Sequence, residues 1–145
     1  YEMQAQAGRS YLHEHPAGAS SWKQPAVVDF VARHEDAILL TSHMCAFGMT
    51  SNIPGTNDHG PVYKPTRWLT NSPAIAAQLD RRCPGGHSHV HLLNGKAKPA
   101  QVYPPELCRA IVTGLTHQLQ EDLRKDVEAG LVEAQGASCC HTRLA

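Results

Sequence analysis

The stretch Ser10-Tyr11-Leu12-His13-Glu14-His15-Pro16 decides how this chain is read. Tyr11 and Leu12 open a short extended run, and Pro16 with Gly18 forbids it to continue. The expectation is a first strand over residues 10–12 that discharges into a carboxylate, Glu14, flanked by two imidazoles, His13 and His15. In open α/β sheets ligands gather just beyond the carboxyl ends of strands. Glu14, His13 and His15 are therefore candidate catalytic residues. A solvated loop carrying three polar side chains is the competing reading.

Working outward, short strands alternate with helices. Residues 1–9 have helix-favouring composition with Gly8 as a stop. Pro25 fits the first turn of a helix whose buried face is Val27, Val28, Phe30 and Val31. Ala37-Ile38-Leu39-Leu40-Thr41 has the length and apolarity of a buried strand. Residues 50–62, with Pro54, Gly55, Gly60 and Pro61, read as a long flexible loop before a third strand, Arg67-Trp68-Leu69-Thr70. Ser72-Pro73 opens a helix over residues 74–79, with Ser capping and Pro in the first turn. Pro104-Pro105-Glu106 starts the last helix, whose apolar positions Leu107, Ile111, Leu115 and Leu119 share one face. This rhythm predicts an α/β domain over residues 1–130, a partial doubly wound sheet of Rossmann type with flanking helices, then a flexible tail over 131–145.

Lys plus Arg (13) balances Asp plus Glu (13), so no global charge draws the chain to nucleic acid or to an anionic membrane. No apolar run has the length of a membrane span, and no signal-peptide pattern is visible. Five scattered cysteines do not form a disulfide framework, which favours an intracellular, cytoplasmic or nuclear, setting. The chain opens on Tyr1 with a helix under way, so the expectation is a piece of a longer protein whose upstream half is its partner. Neither a dinucleotide-binding nor a phosphate-binding glycine loop is present, so no cofactor is expected within this fragment.

Two further groups can carry chemistry. Lys64, Thr66, Arg67 and Asn71 make a basic, hydroxyl-rich approach to the third strand; they are candidates for a local nucleic-acid patch, or else an ordinary loop-to-strand junction. Cys83 precedes His87, His89 and His91, three imidazoles that share one face if the segment is extended. These are candidate zinc ligands, with Cys139-Cys140-His141 as the partner knuckle, or else a turn into a surface strand. Cys45 and Cys108 read as inert thiols in apolar settings.

Six short motifs then follow one another in order: Tyr11–Pro16, Ala19–Trp22, His43–Gly48, Lys64–Asn71, Cys83 with His87-Ser88-His89, and Tyr103–Ile111. This series resembles a methyltransferase-like segment of copia-like retrotransposon polyproteins of dinoflagellate type. That segment is similar in turn to the distal part of cytosine-5 DNA methyltransferases. The resemblance implies that Glu14 contacts a target cytosine, that Lys64, Thr66 and Arg67 face the base and its phosphate, and that Tyr103 to Ile111 forms a closing helix. It also implies that S-adenosylmethionine and the nucleophile belong to the upstream part of the parent, leaving this fragment without activity on its own. His15 and Pro16 depart from the family's Glu-Asn-Val-type motif. A nucleic-acid-binding or zinc-binding module of the same polyprotein is the alternative.

Overall fold

The computed structural model describes residues 1–92 and 99–139. In chain order they form α1 (Glu2–Gln6), β1 (Leu12–Pro16), α2 (Pro25–Arg33), β2 (Ile38–His43), β3 (Thr50–Asn52), β4 (His59–Pro61), β5 (Pro65–Thr70), α3 (Pro73–Leu79) and α4 (Pro105–Cys139). Short 3-10 turns cover Ser20–Lys23, Met44–Phe47 and Pro99–Gln101.

The central feature is a three-stranded sheet in the order β1-β5-β2, with Glu14 opposite Trp68 on one side and Leu40 opposite Trp68 on the other. Both outer strands run antiparallel to β5 and are therefore parallel to each other, with α2 in the crossover between them. The fold is mixed α/β, but this sheet is not the expected doubly wound parallel one. The strand–helix–strand unit is there, split by an inserted strand of opposite direction. A single parallel bridge, Val62 to Val90, lies outside the named strands. The reason β5 takes the centre is its composition. Thr66, Trp68, Leu69 and Thr70 are all buried although neighbours along a strand face opposite sides, and only a central strand buries both faces. Leu39 on β2 is half exposed because that strand has a neighbour on one side only, so it is not the buried strand its apolarity suggested.

Each face of the sheet has its own core. On one, Trp68 packs with Met44, Phe47, Ile75, Leu79, Leu107 and Ala110, joining β5 to α3 and α4. On the other, Leu69 packs with Tyr11, Trp22 and Phe30 beneath α2. Trp22 is 8% exposed and Trp68 1%, so both tryptophans are anchors, as large aromatics in a chain holding few of them should be. Two buried polar groups are satisfied in relay: Trp68 Nε1 donates to Ser42 Oγ (2.7 Å), which donates to the Leu79 carbonyl (2.6 Å).

The helix starts follow the sequence closely. Ser72 Oγ accepts the Ile75 amide at 3.1 Å and Pro73 occupies the first turn. Pro25 likewise occupies the first turn of α2, there without a side-chain cap, and only Phe30 of its expected face is fully buried while Val28 is exposed. Elsewhere the structure corrects the reading. Glu14 and its neighbours lie inside β1 rather than beyond it, because an edge strand tolerates Pro16 at its end. Residues 50–62 are not a structureless loop but carry the β3–β4 hairpin. Helix α4 runs through Gly130 as far as Cys139. Its buried face is Leu107, Ala110, Gly114 and Gln118, while Leu115 and Leu119 are exposed. Cys108 is exposed rather than buried.

Candidate metal centre

Two separate pieces of chain meet at one end of the sheet. The first is the turn after β2, Met44–Phe47, which Gly48 closes in the left-handed region at φ 76°. Met44 and Phe47 are buried in the core, and this fixes Cys45 between them at the partly buried rim. The second is Cys83-Pro84-Gly85-Gly86-His87-Ser88-His89. Gly85 and Gly86 both have positive φ (78° and 77°), a reversal that returns His87 towards Cys83. The segment is pinned at both ends. The Cys83 amide donates to His43 Nδ1 at 3.1 Å, and Val90 exchanges backbone bonds with Pro61 (2.7 Å) and Tyr63 (3.4 Å).

These constraints bring Cys45, Cys83, His87 and His89 together, with one donor atom from each lying within 4.8 Å of all the others. Cys83 Sγ is 3.4 Å from Nε2 of both His87 and His89, Cys45 Sγ is 3.4 Å from His89 Nε2, and the two Nε2 atoms are 3.0 Å apart. Zinc–sulfur bonds of about 2.3 Å and zinc–nitrogen bonds of about 2.0–2.1 Å at tetrahedral angles put S···N edges at about 3.6 Å and N···N edges at about 3.3 Å. These four separations thus stand a few tenths of an ångström inside the edges of a zinc tetrahedron, while Cys45 Sγ lies within 4.8 Å of Cys83 Sγ and of the His87 donor. The Gly85 amide also points to Cys83 Sγ at 3.4 Å, a bond that supports a thiolate.

The electrostatics suit a cation. Burial, and then the neighbouring Cys83, pushes the Cys45 thiol above its ordinary value. Burial, and then His87, His43 and His91, holds His89 below its ordinary value, so its imidazole is neutral with lone pairs to give. A bound divalent ion relieves the crowding of two sulfurs that otherwise oppose each other's ionisation. The Tyr63 ring stands against His43 and His89, with centroids 5.6 and 5.2 Å away.

Three of the four residues belong to the set expected from sequence, Cys83, His87 and His89. His91 lines the adjoining cavity but is not among the converging donors. The missing fourth donor is Cys45, which the sequence presented as an inert thiol. Its ligand spacing to Cys83 carries no local signal; only its place straight after β2 and His43 sets it apart. The proposed partner knuckle Cys139-Cys140-His141 lies outside the residues whose side chains are described.

The other candidates are placed differently. Within β1 alternate side chains face opposite sides. His13 packs edge-on against Trp22 (centroids 5.0 Å) and its Nδ1 contacts the Tyr1 hydroxyl at 2.7 Å, while His15 Nδ1 contacts Ser21 Oγ at 2.9 Å. Glu14 points to the other face, where its Oε2 accepts the Tyr103 hydroxyl at 2.8 Å and its Oε1 is buried without a partner among the described residues. Carboxylate and imidazoles therefore do not form one cluster. Burial, and then His15, holds His13 below the usual imidazole range, with Glu14 opposing weakly.

Lys64, Thr66, Arg67 and Asn71 do not form one patch either. Lys64 Nζ donates to the Ala100 carbonyl (3.0 Å), Thr66 is buried, and Asn71 bonds the Tyr11 amide and the Arg9 carbonyl. Arg67 projects to the opposite face, over the Trp22 ring at 5.6 Å. It lines a shallow concavity with Leu39, Thr41 and Arg82.

No protein-family model matches the chain, and neither the curated proteins nor the solved structures contain a significant match to it. Among the described residues, no helix is long and apolar enough to cross a membrane.

Proposed function

We propose that this chain is a zinc-binding module in which Cys45, Cys83, His87 and His89 hold one ion as a structural cross-brace. The observation that carries this reading is the convergence of four N and S donors from two chain segments, all within 4.8 Å of one another. Soft sulfur and imidazole ligands in that geometry select zinc over the oxygen-seeking divalent ions. With four protein donors the coordination sphere is full, and a full sphere leaves no position for water or substrate. The centre's work is then mechanical. It ties residues 83–91, which carry no helix or named strand, to the end of β2.

The test is metal content. Protein purified with zinc present and desalted should carry one zinc per chain by inductively coupled plasma mass spectrometry. Cys45→Ser and His89→Ala should lose it, whereas His91→Ala should keep it. Retention in Cys45→Ser, or loss in His91→Ala, sinks this ligand assignment.

A second reading follows the resemblance to methyltransferase-like segments of retrotransposon-type polyproteins. It is favoured by Glu14, whose carboxylate is oriented through one oxygen by Tyr103 and has its other oxygen buried without a partner. A carboxylate so held suits the amino and ring nitrogens of a cytosine, with S-adenosylmethionine and the nucleophile supplied by the rest of a longer parent. Titration of the chain with S-adenosylmethionine should then show no binding, and an oligonucleotide with an unpaired cytosine should bind less well to Glu14→Ala. The two readings are compatible, since the zinc centre and Glu14 use different residues.

A further inference from the structure

We infer that the metal centre is also a peroxide-sensitive thiol pair: oxidation joins Cys45 to Cys83 and expels the ion. This rests on the zinc reading and adds a regulation to it. Three observations carry it. Cys45 and Cys83 come from chain segments far apart in sequence, yet their sulfurs lie within 4.8 Å of each other. Both cysteines are only partly buried, and His87 and His89 line a cavity of about 600 Å³ that also reaches Ile53, His59 and His91, so a small solute can come up to the histidines beside the two sulfurs. Cys108, the other cysteine with a described side chain, is exposed and lies outside the cluster, so the pairing has one local choice among the described residues.

The chemistry balances with a hydroperoxide as oxidant. One thiolate sulfur attacks a peroxide oxygen; the O–O bond breaks, hydroxide leaves, and that sulfur becomes a sulfenic acid. The second thiolate then attacks the sulfenic sulfur; the S–O bond breaks, hydroxide leaves again, and an S–S bond forms. Two electrons have passed from the two thiolates to the peroxide, and the hydroxides take up protons from solvent. The zinc ion keeps two imidazoles, too few to hold it, and departs as Zn²⁺. The disulfide replaces the metal as the tie between the end of β2 and the 83–91 segment, while His87 and His89 are freed. The oxidised chain should therefore stay folded without metal, and its thermal midpoint should lie between those of the reduced zinc form and the reduced metal-free form.

The experiment begins with the zinc content of the reduced full chain, then adds a small excess of hydrogen peroxide. Released zinc is followed with a chromogenic chelator, and the cysteines are mapped by alkylation and peptide mass spectrometry. The expected result is one zinc released per chain, a Cys45–Cys83 disulfide with the loss of two hydrogens, Cys108 still alkylated, and full recovery on adding dithiothreitol and zinc. Zinc retained through oxidation overturns the switch and leaves the metal centre standing. So does release accompanied by sulfinic acid at either cysteine, or by a disulfide to Cys108, Cys139 or Cys140. A reduced chain that binds no zinc overturns the metal reading, and this inference falls with it.

Discussion

Tyr103 donates its phenolic hydrogen to Glu14 Oε2 at 2.8 Å, across 89 positions of sequence, and so ties the start of α4 to the outer strand β1. Burial, and then the carboxylate itself, pushes the Tyr103 phenol far above its ordinary value. The phenol therefore stays neutral and keeps donating at any physiological pH. Because Glu14 Oε1 has no partner among the described residues, this is the bond that compensates the carboxylate's partial burial.

The first prediction follows from that bond. Tyr103→Phe keeps the ring in the core and deletes the donor, and should lower stability by roughly 1–2 kcal/mol, at the modest end of what stranding a polar group costs. Urea unfolding checks it. A change below the experimental scatter would mean that water serves Glu14 as well as Tyr103 does.

A second prediction separates two glycines of α4. A Cβ on Gly114 would stand 2.6 Å from the Ile75 Cα and 3.0 Å from the Ala74 carbonyl oxygen, both backbone atoms of α3 that cannot step aside. A Cβ on Gly130 would meet nothing within 4 Å beyond its own helix among the described residues. Helix propensity alone favours Ala at both sites by about 0.5–1 kcal/mol. At Gly114 overpacking should reverse that, with Gly114→Ala less stable by about 1–3 kcal/mol. Gly130→Ala should show the bare propensity gain. Equal shifts in the two thermal midpoints would show that α3 and α4 do not pack this closely.

That pair also shows where sequence stops informing. Pro25, Ser72-Pro73 and Pro104-Pro105 mark helix starts because capping and a fixed φ are local properties, and all three are where they were expected. Hydrophobicity finds only the start of α4's buried face, Leu107 and the half-buried Ile111. The rest is built of Ala110, Gly114 and Gln118, residues suited to close approach and to a bond with Ser72 (2.7 Å), not to apolarity. The sheet's direction is equally non-local. The strand–helix–strand rhythm is the same whether the two strands lie side by side or receive β5 between them, and only the doubly buried Trp68-Leu69 pair hints at the insertion. At the candidate metal centre, Cys83, His87 and His89 are legible because they are neighbours in sequence. Cys45 is not, because a ligand brought in by tertiary packing leaves no spacing to read.

The third prediction concerns alkaline pH. Burial, and then the Asp36 carboxylate and the Tyr1 phenol, pushes the Tyr11 phenol up to about 12. A folded-state value above the unfolded one favours the neutral phenol. Its contribution to stability is complete below the unfolded value of about 10, and is lost as pH rises from there towards 12. The Tyr11 hydroxyl is buried with no partner among the described residues. Tyr11→Phe should therefore equal the parent at pH 7 or exceed it by up to about 1 kcal/mol. It should also hold its thermal midpoint further into the alkaline range. A variant clearly weaker at pH 7 would reveal an unseen partner for that hydroxyl.

The last prediction is that metal removal loosens one end of the molecule and spares the sheet. Residues 83–91 carry no helix or named strand, and their other hydrogen bonds to the rest of the chain, among the described residues, are the Cys83 amide to His43 and the two backbone bonds of Val90. The β1-β5-β2 sheet rests instead on the Trp68 and Leu69 cores, which contain no metal ligand. Chelation should thus strip amide-exchange protection from Val90 and Tyr63 while Trp68 and Leu69 stay protected. Uptake should release protons at pH 7, about one for each thiol that must ionise to bind, Cys45 among them because its thiol is held above its ordinary value. Calorimetry in two buffers of different ionisation heat gives that number. Affinity should fall as pH drops, because protons compete with the ion for its thiolate and imidazole donors. Cobalt(II) in place of zinc should give the intense visible bands of a tetrahedral site and a sulfur-to-metal charge-transfer band, with the latter weakened in Cys45→Ser. Weak octahedral bands, or proton release near zero, would exclude thiolate ligation at this centre.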